Sequence, residues 1–267
     1  QRNRDINLPN PTGIDATTGR ILVNRSSRPI QSLGTIQIRD SSAHSTYRGL
    51  NLRMNIAKKN FRVNSFYTLS KNMSDDDNER DSGGVLYSNP YNLTSEWGMA
   101  RIDRRHQFVA NPIYYLPKGI EVSSTIRLRS GIPVNSTVGS DLNGDGNNTE
   151  RPIIAPGVEL RRNAFRNRNI YDFDLRVQKS LAWGENRKLV LSSEFFNVFN
   201  FSNIQLTSFT STNYCSSSSS TCGMTGITNL NFLKVRNATG TFAGKINVSN
   251  TPGSQVFQMQ IGARLQF

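Results

Sequence analysis

Apolar and polar residues alternate along much of this chain. At its C-terminal end Phe257, Met259, Ile261, Ala263, Leu265 and Phe267 are apolar, and Gln258, Gln260, Gly262, Arg264 and Gln266 between them are polar or tiny. A period of two is that of a β-strand with one apolar and one wet face. The same pattern sets Leu50, Leu52, Met54 and Ile56 against Asn51, Arg53 and Asn55. It sets Val122, Ile126 and Leu128 against Glu121, Ser123, Arg127 and Arg129. Its clearest internal case sets Tyr171, Phe173, Leu175, Val177, Leu181 and Trp183 against Asp172, Asp174, Arg176, Gln178 and Ser180. FRVNSFYTLS, HQFVANPIYYLP, KLVLSSEFFNVFN and TIQIR read as strands with blurrier faces, and Pro112 cannot donate to a central ladder. The pattern predicts an all-β chain of about eight strands, most of about 10 residues or more, enough to cross a bilayer when tilted.

The connections alternate too. Tight turns at Lys58 to Asn60, Pro117 to Gly119 and Gly184 to Asn186 take turns with long loops at about 74–105, 135–169 and 201–255. A soluble sandwich has no reason to sort its loops by parity. A transmembrane antiparallel barrel has one, because its periplasmic turns are short and its outward loops long. If the last strand ends on the periplasmic side, all three tight turns fall there and the long loops lie outside the cell. Residues 1–31 then form an extracellular entry segment, and 32–267 the barrel part. Phe61, Tyr114, Tyr115, Trp183 and Phe267 gather near the turn ends, where an interfacial aromatic girdle belongs.

Composition fits that reading. No run of about 18 apolar residues exists, so no transmembrane helix is expected. The hydrophobic share of 36% is what a barrel gives, since only alternate strand residues face lipid. The 32 Lys and Arg against 19 Asp and Glu, a net +13, call for a polyanionic partner: nucleic acid, lipid headgroups or an acidic protein surface. A soluble basic nucleic-acid binder would gather that charge in a patch or tail. Here it is spread about one arginine per strand, which favours a charged lumen and no nucleic acid. Arg53, Arg62, Arg127, Arg129, Arg176 and Arg264 are the lumen-facing candidates, with Glu121, Asp172, Asp174 and Glu194. They either hold a plug and tune the passage or satisfy one another.

Chemistry-bearing motifs are few. Cys215 and Cys222 flank a serine run; a disulfide closing a small exposed loop implies an oxidising compartment, and two free surface thiols are the alternative. In DLNGDGNNTE, Asp141, Asn143 and Asp145 sit at alternate positions suited to calcium, with Gly144 and Gly146 allowing the turn. The bidentate Glu expected at the twelfth position of an EF-hand is replaced by Pro152, and Glu150 comes two residues early. The same cluster is also what an ordinary turn is made of. Asp103, Arg104, Arg105 and His106 in MARIDRRHQFV suit a strand anchor: one histidine among arginines shows no tuned partner for a general base. No enzyme is expected. Asp75, Asp76, Asp77, Glu79 and Asp81 read as a solvated outward loop, or one that bridges lipopolysaccharide through divalent cations.

Ordered pieces along the chain carry a family resemblance. These are SAHSTYRGLNLRMN with FRVNSFYTLSKNM, SNPYNLTSEWGMARIDRRHQFV with YYLPKG, LRSGIPVNSTVGSDLNGDGNNTERP, RNAFRNRNIYDFDLRVQKSL, FFNVFNFSN and the terminal strand. Together they resemble the C-terminal part of a TonB-dependent outer-membrane receptor of the Oar-like group, whose members often carry a carboxypeptidase-regulatory-like domain. The resemblance implies a segment of a barrel of about 22 strands, a plug and a coupling segment elsewhere, and uptake of a ligand through the lumen. It implies as partners outer-membrane lipid and lipopolysaccharide, the rest of the barrel and its plug, a TonB-type coupling protein, and the barrel-assembly machinery. The last would read Phe267 as its signal. A structural or adhesive barrel displaying its loops, and a small closed eight-stranded barrel, are the rival readings.

Overall fold

The structure is a computed structural model that describes residues 2–76, 87–183, 187–208, 213–216, 219–234, 245–248 and 256–267. Just over half the chain is strand (51%), and among the described residues no helix is long and apolar enough to cross a membrane. One antiparallel sheet of eight strands dominates: β1 (Ser45–Lys58), β2 (Phe61–Ser74), β3 (Gly98–Met99), β4 (His106–Leu116), β5 (Ile120–Arg129), β6 (Ile170–Trp183), β7 (Arg187–Phe196) and β8 (Gln258–Gln266). Their order across the sheet is β8-β7-β6-β5-β4-β2-β1, with the two-residue β3 added to the end of β2. Neighbours in sequence are neighbours in space, as an up-and-down meander requires.

Register turns the period of two into two continuous surfaces, because directly opposed residues in antiparallel strands share a face. One row runs Leu52–Tyr67–Phe108–Leu128–Tyr171, and another Tyr114–Val122–Val177–Ser193–Ile261. Many apolar residues on this face stay exposed: among the described residues no protein layer covers Leu50, Leu52, Met54, Tyr114, Leu181, Trp183, Ile261 and Leu265. Burying such side chains in a solvent of their own polarity is what a lipid-facing surface does. Charged residues on this face fall toward the ends of its strands, as Arg48, Lys58, Lys71 and Lys179 do. Lys179 lies near the turn end, where its Nζ reaches the carbonyl of Lys118, as a snorkelling lysine does.

Several expectations need correcting. TIQIR forms a strand at Gln37–Asp40, but it pairs with Arg2–Asp5 outside the main sheet, and Gly98–Met99 is the eighth member instead. Tyr115 is opposed to Glu121 and falls on the polar face, so it does not join Phe61 and Tyr114, whose rings contact across the strands at 6.4 Å. Pro112 does sit in a central strand. The β4–β5 pairing lapses at Asn111 and Pro112 and resumes in the same register at Ile113, opposite Ser123. The turn at Gly184 to Asn186 lies outside the described residues.

Both edge strands run the same way. β1 runs from the long-loop end toward the turn at Lys59 and Asn60, and β8 runs toward the same end, with Gln266 opposed to Lys188. Among the described residues the two edges do not pair. The long connections are built as well: Arg2–Asp5 with Gln37–Asp40, Pro11–Ile14 with Ile21–Val23, Pro133–Val134 with Phe165–Arg166, Ile153–Ala155 with Val158–Glu159, and Ile204–Ser208 with Lys245–Val248.

Candidate functional site

The polar face of the sheet carries all six arginines singled out above. Arg53 is opposed to Phe66, and that row continues through Val109 and Arg127 to Asp172. Arg62 begins the row of Ile113, Ser123, Arg176, Glu194 and Gln260. Arg129 lies two residues beyond Arg127, and Arg264 is opposed to Val190 on the same side.

Most of these cations have partners within the face. Arg127 pairs with Asp174 at 2.7 Å, Arg129 with Asp172 at 2.9 Å, and Arg176 with Glu194 at 3.2 Å. Arg53 lies over the ring of Phe66 at 5.0 Å and Arg62 over that of Tyr115 at 5.7 Å. Asp172 is fully buried and also accepts from Asn203 Nδ2 at 2.9 Å, which ties the loop after β7 to the sheet. Arg264 lies with Arg176 and Lys188 along a cleft over β6, β7 and β8. The face is therefore a ladder of alternating charge with a cationic margin toward β8.

Above the long-loop end the connections pack into one assembly, centred on a residue the sequence reading missed. Arg151 is 2% exposed. It donates to Glu96 Oε1 at 2.7 Å and Oε2 at 3.1 Å, Glu159 Oε2 at 3.0 Å, Ser95 Oγ at 2.8 Å and the Leu160 carbonyl at 2.8 Å. The only local signal was a charge pair, Glu150-Arg151, placed between a turn cluster and Pro152. Asp103 behaves as the strand anchor expected of it, with Arg166 as its cation and the Asn72 N–H donating to it at 2.6 Å. His106 instead meets the Tyr67 hydroxyl at 2.8 Å through Nδ1.

The acidic run is not simply solvated. Asp75 pairs with Arg2 and accepts from the His44 N–H at 2.8 Å, and Asp76 is buried beside the Tyr87 hydroxyl. Asp77, Glu79 and Asp81 lie outside the described residues. Cys215 and Cys222 are joined as a disulfide, and the bridge is buried rather than exposed. It packs on Val138, Leu142 and Tyr214, and the Cys222 carbonyl accepts from Ile153 N–H at 2.9 Å.

In the loop DLNGDGNNTE the two oxygens of Asp141 accept from the Gly144 and Gly146 N–H groups at 2.7 and 2.8 Å, and Asn143 Oδ1 accepts from Asp145 N–H at 2.8 Å. Carboxylate oxygens of Asp141, Asp145 and Glu150 lie within 4.8 Å of one another. Burial pushes the Glu150 carboxyl up to about 8; its own backbone N–H and the charge of Arg20 offset only part of this, and Asp145 and Asp141 add to the rise. Arg20, on the other flank, is held below the usual arginine range by its burial. Gly144 has a φ of +85°, and a Cβ there would stand 2.5 Å from the Val23 carbonyl oxygen. Gly144→Ala is expected to lower the unfolding free energy of the loop assembly by about 1–3 kcal/mol. Hydrogen exchange at Val23, whose N–H donates to the Asn143 carbonyl at 2.8 Å, checks this; unchanged protection there would disprove it.

An apolar sheet face with no protein over it, a charged opposite face and a dense set of loops at one end are the anatomy of an outer-membrane barrel wall. A family model described as "Outer membrane beta barrel domain" matches residues 1–159, a stretch that takes in β1 to β5 and the loop through Arg151. No curated protein and no solved structure matches the chain. The chain therefore belongs to the outer membrane β-barrel domain family, proteins of the bacterial outer membrane.

Proposed function

We propose that this chain is the C-terminal barrel segment of a TonB-dependent transporter of the Oar-like group, which passes a ligand from outward loops through a plugged lumen. The observation that carries the reading is the direction of the two sheet edges. β1 and β8 run the same way, so they cannot close on each other as an antiparallel pair. Unpaired strand edges in lipid are very costly, so each edge calls for another strand, as in a barrel of about 22 strands. That counts against a small closed barrel. The charge ladder on the polar face supports a wet interior against which a plug could form hydrogen bonds. In this reading the tight turns and Phe267 are periplasmic, the loop assembly is extracellular, and energy comes from a coupling protein acting on the plug.

The test is cross-linking in native outer membranes. A cysteine in place of Gln260, on the β8 edge, should cross-link to a strand of the plug-bearing part of the barrel. A cross-link to β1 instead would sink the proposal in favour of a small closed barrel. A β8 partner lacking any plug would favour the adhesive or structural reading. The same model makes the exposed terminal Phe267, 88% accessible, a signal for the assembly machinery. Phe267→Asp should reduce membrane insertion far more than Gln266→Asn, measured as heat-modifiable protein on gels. Equal insertion of the two variants would refute that role.

A further inference from the structure

We propose that Asp141, Asn143, Asp145 and Glu150 form a calcium site that fastens the loop assembly together. Two independent observations meet here. The first is the cluster: three carboxylates with oxygens within 4.8 Å of one another, on a loop whose Gly144 and Gly146 both take positive φ. The second is Glu150 itself. Its side chain is 0% exposed, and among the described residues neither of its oxygens accepts a hydrogen bond of normal geometry, its own backbone N–H relieving it only in part. Those oxygens are directed at Asp141 and Asp145, the last place a bare carboxylate would be put. A buried carboxylate without a partner is heavily penalised, and only a proton or a cation relieves it.

The side chains nearby compensate that charge only in part. Arg20, buried on the far flank, favours the Glu150 carboxylate at a distance, but its Nη2 donates to the Arg151 carbonyl at 3.1 Å, and among the described residues no ion pair within 4.0 Å joins it to Glu150. Arg151, the next residue, is turned away into Glu96 and Glu159. Every candidate ligand is oxygen, with no histidine or thiolate in the cluster, which selects a hard cation. Calcium accepts an irregular set of protein oxygens, whereas magnesium holds to an octahedron and keeps several waters. Glu150 comes two residues earlier than the bidentate Glu of an EF-hand, yet the chain between Asn147 and Glu150 folds back far enough to complete the cluster.

A cation here would join segments far apart in sequence. The Asn143 carbonyl accepts from Val23 N–H, and the Glu150 carbonyl from Val138 N–H, both at 2.8 Å. Thr149 Oγ1 donates to the Tyr87 carbonyl at 3.3 Å, and Ile153 N–H to that of Cys222 at 2.9 Å. The N-terminal segment, the loop before β3 and the disulfide loop all hang from the stretch that holds the site.

The experiment uses the full-length protein in detergent, stripped with a chelator and titrated with calcium alone, then magnesium alone, by calorimetry and thermal melting. Calcium should bind, raise the melting temperature and protect the loops from protease, with magnesium much weaker. Glu150→Gln should weaken calcium binding about tenfold or more. In chelator the same variant should melt no lower than the parent, because it replaces a buried carboxyl without a well-formed hydrogen bond by a neutral amide of the same shape, so weak binding cannot be put down to misfolding. A parent whose melting and protease protection ignore millimolar calcium would mean that a proton satisfies Glu150, and overturns the site. So would a Glu150→Gln variant that binds calcium as tightly as the parent. None of this depends on transport: the cross-linking test can fail while calcium binding stands, and the reverse.

Discussion

Arg151→Met should loosen the whole loop assembly while leaving the main sheet standing. The arginine is the cation nearest Glu96 and Glu159, with Arg162 Nε farther from Glu96 at 3.9 Å, and it also donates to Ser95 and to the Leu160 carbonyl. Glu96, itself 1% exposed, would lose both hydrogen bonds to its carboxylate oxygens. Removing one partner of such a buried pair typically costs about 3–5 kcal/mol, because the remaining charge stays buried without compensation. Limited proteolysis should cut near Glu96 and Glu159 at protease levels the parent withstands, while heat-modifiable migration of the barrel persists. Arg151→Met combined with Glu96→Leu should recover part of the loss, since no unpaired charge then remains at Glu96. If the single variant resists protease as the parent does, the network does not hold the loops.

The strands were legible because their cause is local and periodic. β1, β5, β6 and β8 were visible as alternation, and register followed from it, since a one-residue slip would send every apolar side chain to the wrong face. The loops' role was far less visible. Arg151 finds Glu96 across 55 residues, and Arg166 finds Asp103 across 63, and no period links such positions. TIQIR shows the limit of alternation. It reports that a segment is a strand and is silent on the partner, which here is Arg2–Asp5. Tyr115 shows another. Two adjacent aromatics in a strand must face opposite ways, so only Tyr114 can join a girdle on the apolar side. The cysteine pair was read as a loop closure, but its burial comes from Val138 and Leu142, more than seventy residues earlier in the chain. In the loop DLNGDGNNTE the residue types were visible and the approach of Glu150 to Asp141 and Asp145 was not, because template spacing placed it out of reach.

The sharpest test of the sheet is a pair of adjacent substitutions, Val177→Arg and Gln178→Arg. Both lie near the middle of β6, which has β5 on one side and β7 on the other, so neither is softened by an edge. Val177 is opposed to Val122 and Ser193 on the apolar face, while Gln178 is opposed to Glu121 and Ser192 on the charged one. An arginine at 177 would enter the lipid-facing surface, at a cost that grows with depth, to about 2–4 kcal/mol at the bilayer midplane. An arginine at 178 would stand beside Glu121 in a face already built from such pairs, where an added cation costs little. The expected result is strong loss of folded, heat-modifiable protein for Val177→Arg and near-parental yield for Gln178→Arg. Backbone propensity cannot produce that contrast, because the two sites share a strand, a depth and an incoming residue. Only opposite solvents on the two faces can. Equal tolerance would mean both faces meet water, and reversed tolerance would mean the sheet is inside out.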